Sequence, residues 1–114
     1  MVDSAEDSEF EKREEEWMGR LLYQCRQVIP GSWREAVLEL EGRYSGETGK
    51  RSVSHRLRNP LTGEQITEFT QQLFMVSNMV HALHIMAGNE WERCVVEMGF
   101  DEDGEMDRCE ARYS

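Results

Sequence analysis

Apolar residues recur at helical spacing in the first part of the chain. They lie three, four or seven residues apart and are Phe10, Trp17, Leu21, Cys25 and Val28. Residues at these intervals share one face of an α-helix, which predicts an amphipathic helix. We place its start at Ser8, because Ser8-Glu9-Phe10-Glu11 fits a capping box, and its end at Pro30-Gly31.

A period of two replaces the helical period from Ala36 to Tyr44. Leu38 and Leu40 alternate there with Glu39 and Glu41, which predicts a half-exposed strand. Residues 45–50 have turn composition, and residues 52–57 can return as a second strand. The return strand would place Val53, His55 and Leu57 on one face.

Steps of three and four residues return in the middle of the chain and predict a long central helix. The residues at these steps are Ile66, Phe69, Leu73, Val76, Val80, Leu83 and Ala87. Gly88-Asn89 supplies a C-terminal cap. This helix is apolar over much of its circumference, so we expect it to pack against both a sheet and the first helix.

A second hairpin closes the chain. Residues 91–100 and 105–113 are its strands, and Asp101-Glu102-Asp103-Gly104 is its turn. The predicted register sets Phe100 opposite Glu105, Val96 opposite Cys109, Cys94 opposite Ala111 and Glu97 opposite Arg108.

These elements predict an α+β fold in which an antiparallel sheet of about four strands packs against the N-terminal helix and the long central helix. Residues 8–114 would form a single α+β domain. Residues 1–7 would be a disordered acidic N-terminus, because they offer few apolar anchors.

Charge narrows the choice of partner. The 114 residues carry a net charge of −10. Residues 1–16 hold eight Asp and Glu against two basic residues, residues 101–110 hold six against Arg108, and residues 17–100 hold nine of each. Such segregation favours a positively charged partner and disfavours nucleic acid and anionic membranes.

Motifs that carry chemistry are few. Cys25, Cys94 and Cys109 show no Cys-x-x-Cys spacing, so we expect buried thiols rather than disulfides or a zinc site. His81 and His84 lie three residues apart without a third ligand, so we assign no metal. Neither a nucleophile motif nor a phosphate-binding Gly-rich loop occurs, so no catalytic residue, cofactor or enzymatic activity is predicted.

Membrane and nucleic-acid contacts are also not expected. The longest apolar stretch, residues 73–87, is short and interrupted by polar residues. The N-terminus has acids where a secretory signal has Lys or Arg, so we expect a cytoplasmic protein. One basic patch, made of Lys50, Arg51, Arg56 and Arg58, lacks the interleaved aromatic residues typical of nucleic-acid binding.

Three local patterns follow one another along residues 18–113. The first is a helix running into Ile29-Pro30-Gly31-Ser32-Trp33 and then a strand at residues 36–41. The second is the helix of residues 73–87 followed by Gly88-Asn89-Glu90-Trp91. The third is a strand at residues 95–100, an Asp103-Gly104 turn and a strand ending in Tyr113. Together they resemble the YezG-like immunity (antitoxin) family of bacterial toxin systems.

The resemblance implies an immunity protein that binds and blocks a cognate toxin, often a nuclease domain of a contact-dependent or secreted toxin with a basic active cleft. An acidic surface can occupy such a cleft as phosphate does. The candidate toxin-binding residues form a tip patch and a helix patch. The tip patch comprises Asp101, Glu102, Asp103, Glu105 and Asp107, and the helix patch comprises Glu11, Glu14, Glu15 and Glu16.

Two other hypotheses stay open. The chain could be a non-enzymatic adaptor or chaperone-like module that recognises a peptide through the apolar helix or a hairpin edge. It could also bind a small molecule, as an enzyme or otherwise, in a pocket beneath Trp33 and Tyr44. The sequence does not determine the oligomeric state.

Overall fold

Two α-helices pack on a five-stranded antiparallel sheet. A computed structural model describes residues 3–45, 47–88 and 91–114, and for residues 3–8 the backbone alone. The elements in chain order are α1 (Asp3–Val28), β1 (Glu35–Tyr44), β2 (Arg51–Arg58), β3 (Gln65–Ile66), α2 (Gln71–Met86), β4 (Arg93–Phe100) and β5 (Met106–Tyr113). The predicted α+β class, with an N-terminal and a central helix, is confirmed.

The sheet has one strand more than the predicted number of about four. Its order is β3-β2-β1-β4-β5, and all neighbouring strands are antiparallel. Ile66, which its spacing assigned to the central helix, instead pairs with Leu57 in the short strand β3. The helix begins later because Thr70 has an extended backbone and its side chain accepts a hydrogen bond from the Leu73 amide at 3.1 Å. This is an N-cap, which fixes where α2 starts.

The first helix is longer than predicted. α1 begins at Asp3 and not at Ser8, so the predicted start is wrong. Ser, Ala and Glu tolerate helical backbone, and a capping motif within such a segment does not stop the helix from extending. The predicted disorder of residues 1–7 falls partly outside the described residues and stays a prediction.

The core lies between one face of the sheet and the two helices. Leu38 and Leu40 of β1 are fully buried, and Leu21 of α1 and Leu73 of α2 join them in one apolar cluster. The predicted alternation also holds in the return strand, where Leu57 is buried and its neighbours on either side are more exposed. Both helices therefore cover the same face of the sheet.

The closing hairpin forms as predicted, but the predicted register of its two strands is wrong. The observed partners are Tyr113 for Cys94, Ala111 for Val96, Glu110 for Glu97 and Met106 for Phe100. The first three pairs differ from the prediction by two residues, which leaves their side chains on the predicted faces because the side-chain period of a strand is two. The fourth differs by one residue, so that Met106 and not Glu105 lies on the core face beside Phe100. An irregularity between Gly99 and Phe100 absorbs the remaining offset near the turn.

The approach of α2 to β1 depends on a glycine. A Cβ added at Gly42 would lie 2.5 Å from Nε2 of His81. The His81 ring is buried and packs edge-on against Trp91, with 4.6 Å between ring centroids. Only a residue without a side chain leaves room for the imidazole, so this contact sets how closely the helix sits on the sheet.

We expect Gly42→Ala to lower the free energy of unfolding by about 1–3 kcal/mol, because the new methyl group must displace the His81 ring. Urea titration followed by circular dichroism measures the change. Gly19→Ala is the matched control, since nothing lies within 4 Å of a Cβ added there. The control should raise stability by about 0.5–1 kcal/mol. Equal stability of the two variants would contradict the close approach.

Candidate functional site

The turn of the closing hairpin is held in place by Asp101. Its Oδ1 accepts hydrogen bonds from the backbone amides of Asp103 and Glu105, each at 2.9 Å. Its carbonyl oxygen accepts a hydrogen bond from Nη1 of Arg34 at 2.6 Å. Gly104 completes the turn with a φ of 81°, a backbone conformation that glycine adopts without strain. Asp101 therefore shapes the tip patch and is half-buried itself.

The other four carboxylates of the tip patch are exposed, but they do not face one direction. Glu102 and Asp103 line a cleft of about 300 Å³ beside the end of α1. Asp107 lines a separate shallow cleft together with Arg34 and Arg108. The tip is thus a small ridge with acidic groups on both sides.

Basic residues lie close to both sides of this ridge. Arg26 lines the cleft that holds Glu102 and Asp103, and its guanidinium stacks over the Phe100 ring at 4.8 Å from the centroid. Such stacking fixes the cation near the ridge. The tip patch has five carboxylates, so the adjacent arginines reduce its negative potential without cancelling it.

The helix patch divides into exposed and half-buried members. Glu11, Glu15 and Glu16 are exposed. Glu16 forms an ion pair with Arg20 at 2.8 Å, in which both side chains are more than half exposed. Pairs of this kind contribute little to stability. Glu14, by contrast, points inward and belongs to a cluster that joins three elements.

That cluster connects α1 to α2 and to β5. The Tyr113 hydroxyl donates a hydrogen bond to Oε1 of Glu14 at 3.1 Å, and Nε2 of His84 lies 3.4 Å from the same oxygen. The His84 and Tyr113 rings are tilted against each other with centroids 4.6 Å apart. Phe10 packs edge-on against His84 at 5.5 Å. Glu14 therefore has a mainly structural role, and its carboxylate is only partly accessible to a partner protein.

Burial controls protonation within this cluster. Desolvation lowers the pKa of His84 below its usual value, and the negative charge of Glu14 partly opposes that effect. Burial raises the pKa of Tyr113 far above its ordinary value, and the neighbouring Cys94 and Glu14 add to the shift. The phenol therefore stays protonated and remains a donor to the carboxylate at neutral pH.

The tip patch and the helix patch lie at opposite ends of the closing hairpin. Glu14 contacts Tyr113, the last residue of β5, whereas four of the five tip residues precede that strand and Asp107 is its second residue. The tip residues nearest the strand, Glu105 and Asp107, are eight and six residues from Tyr113, which is a distance of about 20–25 Å at roughly 3.3 Å per residue. The structure does not bring the two patches into one surface, so each would be a separate contact site.

Part of the predicted basic patch pairs with the carboxylate of Glu39 on β1. Nη2 of Arg93 lies 3.1 Å from Glu39 Oε2, Nη2 of Arg58 lies 3.5 Å from Oε1, and Nη1 of Arg56 lies 4.0 Å from Oε2. The Glu39 side chain is only 12% exposed. Arg56 and Arg58, two of the four basic residues, therefore form ion pairs on the solvent-exposed face of the sheet. Strand order, and not sequence spacing, brings Arg93 to the same carboxylate.

Trp33 and Tyr44 line different clefts. Trp33 precedes β1 and Tyr44 ends it, so the two rings lie at opposite ends of one strand. An open cleft of about 780 Å³ does include Tyr44, together with His81 and Trp91. No local pattern in the sequence indicates this cleft, because its residues come from three separate parts of the fold.

Buried thiols are confirmed for Cys25 and Cys94, and burial raises the pKa of each to about 12. The prediction is wrong for Cys109, which is exposed on the edge strand β5. Within the described ranges no three His, Cys, Asp or Glu side chains are placed to hold a metal ion.

Comparisons with known proteins add no family assignment. No protein-family model matches the chain, and no curated protein matches its sequence. Neither helix in the described part of the chain has the length and apolarity needed to cross a membrane.

We expect Glu14→Gln to lower the pKa of His84 further, because the substitution removes the negative charge that favours the imidazolium form. A pH titration followed by NMR of the histidine ring protons measures this shift. Glu15→Gln is the matched control, because this residue has the same chemistry and is exposed one position further along α1. An unchanged His84 pKa in Glu14→Gln would contradict the cluster geometry.

Proposed function

We propose that this chain is an immunity protein that binds and neutralises a cognate bacterial toxin. The tip patch would enter a basic active-site cleft, which is the kind of site found in a nuclease domain. The observation that carries this proposal is the geometry of the turn, where exposed carboxylates stand on a backbone fixed by Asp101 and Arg34. The toxin would belong to a contact-dependent or secreted system.

A fixed acidic ridge suits a basic cleft for two physical reasons. First, opposite charges steer the encounter and raise association rates by about ten- to a thousand-fold. Second, a turn that is already ordered loses little conformational entropy on binding, so more of the contact energy contributes to affinity. Both effects favour rapid interception of a toxin.

The resemblance to the YezG-like immunity family supports the same proposal. In the chain, Pro30 and Trp33 lie between α1 and β1, and Trp91 lies between α2 and β4. The hairpin turns at Gly104 and its last strand ends at Tyr113. The elements on which the resemblance depends thus occur in the same order in the fold.

In this proposal the protein is not an enzyme, needs no cofactor and acts in the cytoplasm. It touches neither nucleic acid nor membrane. The exposed members of the helix patch, Glu11, Glu15 and Glu16, would add long-range attraction from about 20–25 Å away, a distance beyond the Debye length at physiological salt. Their effect would therefore be weaker than that of the tip patch.

An adaptor or chaperone-like module that binds a peptide is the second candidate. Its support is that β5 is the last strand in the sheet order, so one edge of it faces no other described strand. An extended peptide could pair with such an edge. Binding of many unrelated unfolded or peptide substrates, without preference for a basic protein, would favour this candidate.

The test is co-expression with the product of the neighbouring gene, followed by copurification and by association kinetics at several salt concentrations. We expect a tight complex that forms more slowly as ionic strength rises. The double variant Glu102→Lys/Asp103→Lys should slow association at low salt by about ten-fold or more. Asp101 is left unchanged because it holds the turn together.

Glu47→Lys/Glu64→Lys is the matched control, since it changes net charge equally at exposed loop positions outside the tip. It should slow association much less. If both double variants slowed association equally, the tip patch would act only through the net charge of the protein. That result would overturn its role as the contact site. Turnover of a metabolite by the isolated protein would overturn the proposal as a whole.

A further inference from the structure

α2 has no charged residue and exposes apolar side chains to solvent. Between Phe69 and Gly88 the chain contains no Asp, Glu, Lys or Arg. Met75 is 61% exposed, Met79 is 40% exposed and Met86 is 80% exposed. Monomeric proteins seldom leave a continuous apolar surface of this kind open to water.

The exposed methionines form a single stripe. Met75, Met79 and Met86 are separated by four and seven residues, a spacing that keeps side chains on one side of a helix. Their side is opposite to the core-facing residues such as Leu73 and Val80. We call these three residues the methionine stripe.

A groove beside the methionine stripe extends the apolar surface onto α1. It has a volume of about 540 Å³, and its lining includes Trp17, Tyr23, Met75 and Met79. Tyr23 is 63% exposed. The stripe and the groove together form one face built from both helices.

Charge along the rim of this face indicates what can cover it. Glu16 and Arg20 line the groove and are already paired with each other, and helical spacing places Glu9 and Arg13 on the same side of α1. The rim therefore alternates in sign and carries little net charge. A strongly basic partner finds no excess of carboxylates here, and a strongly acidic one finds no excess of arginines. An identical rim turned end for end can present Arg opposite Glu.

We propose that the methionine stripe and its groove form a two-fold interface between two copies of this chain. The two α2 helices would lie antiparallel, so that Met75 of one copy approaches Met86 of the other. Methionine adapts its shape to an irregular surface, so the exposed side chains of the two copies can interdigitate. This inference is independent of the proposed immunity function.

The size of the face agrees with a reversible dimer. A helix of 16 residues is about 24 Å long at 1.5 Å per residue, and two helices side by side are roughly 20 Å across. The footprint is then about 500 Å² per copy, or about 1,000 Å² in total, which is near the lower limit for specific interfaces. The tip patch does not line the groove, so its carboxylates would stay accessible in the dimer.

Sedimentation velocity of the purified chain over a wide concentration range tests the proposal. We expect a monomer–dimer equilibrium that shifts towards dimer as concentration rises. Met79→Glu should raise the dissociation constant by about a hundred-fold or more, because it buries two unpaired carboxylates at the interface. Met75→Glu should act in the same direction.

Leu61→Glu is the matched control. Leu61 is 65% exposed in the loop between β2 and β3, and the substitution makes the same apolar-to-acidic change away from the stripe. It should leave the dissociation constant unchanged. Circular dichroism confirms that each variant is folded before its association is compared.

Three results would overturn the proposal. They are a monomer at every concentration, a dimer that both stripe variants leave intact, and equal weakening by the control. The position of the interface on the methionine stripe has a second readout. With Cys109→Ser removing the exposed thiol, Met79→Cys should give a covalent dimer on addition of a disulfide-forming oxidant, and Leu61→Cys should not.

Discussion

Burial of a single face of the sheet is the constraint on which the rest of this structure depends. Leu38, Leu40, Val96 and Met98 project from the two central strands and are fully buried. α1 and α2 must both lie on that face to exclude water from it. The opposite face is left to solvent, and it is there that Arg and Glu side chains pair across the strands.

The same constraint explains the exposed methionines. α2 is apolar around most of its circumference, but a fold of two layers can cover only the side that meets the sheet and the side that meets α1. Its remaining side stays in contact with water unless another molecule covers it. The contact of His81 with Gly42 fixes the helix against the sheet, so α2 cannot rotate to hide this surface. An intermolecular contact is the remaining way to bury it.

Charged residues are paired in one part of the molecule and unbalanced in another, which the net charge alone does not show. Many charges of the sheet are neutralised locally, as at Glu39, where three arginines meet one carboxylate. The acidic excess is left at the tip and along the first half of α1. Asp101 and Glu14, two of the nine candidate residues, also have structural roles, because each accepts hydrogen bonds that hold neighbouring segments together. Negative potential and structural support are thus supplied partly by the same carboxylates.

The sequence alone determined the class of fold, the existence of both helices and both hairpins, and the faces of most residues in the four long strands, because side-chain periods of 3.6 and 2 are local properties of the backbone. It also located the turn at Gly104. Tertiary structure decided the register of the last hairpin, the short strand at Ile66, the inward orientation of Glu14 and the distance between the two acidic patches. Those features depend on contacts between residues far apart in the chain, such as Glu14 and Tyr113, and no local period encodes them. A register error of two residues even preserves the hydrophobic pattern, so only packing against the helices and the irregularity at Gly99 could distinguish the correct alignment.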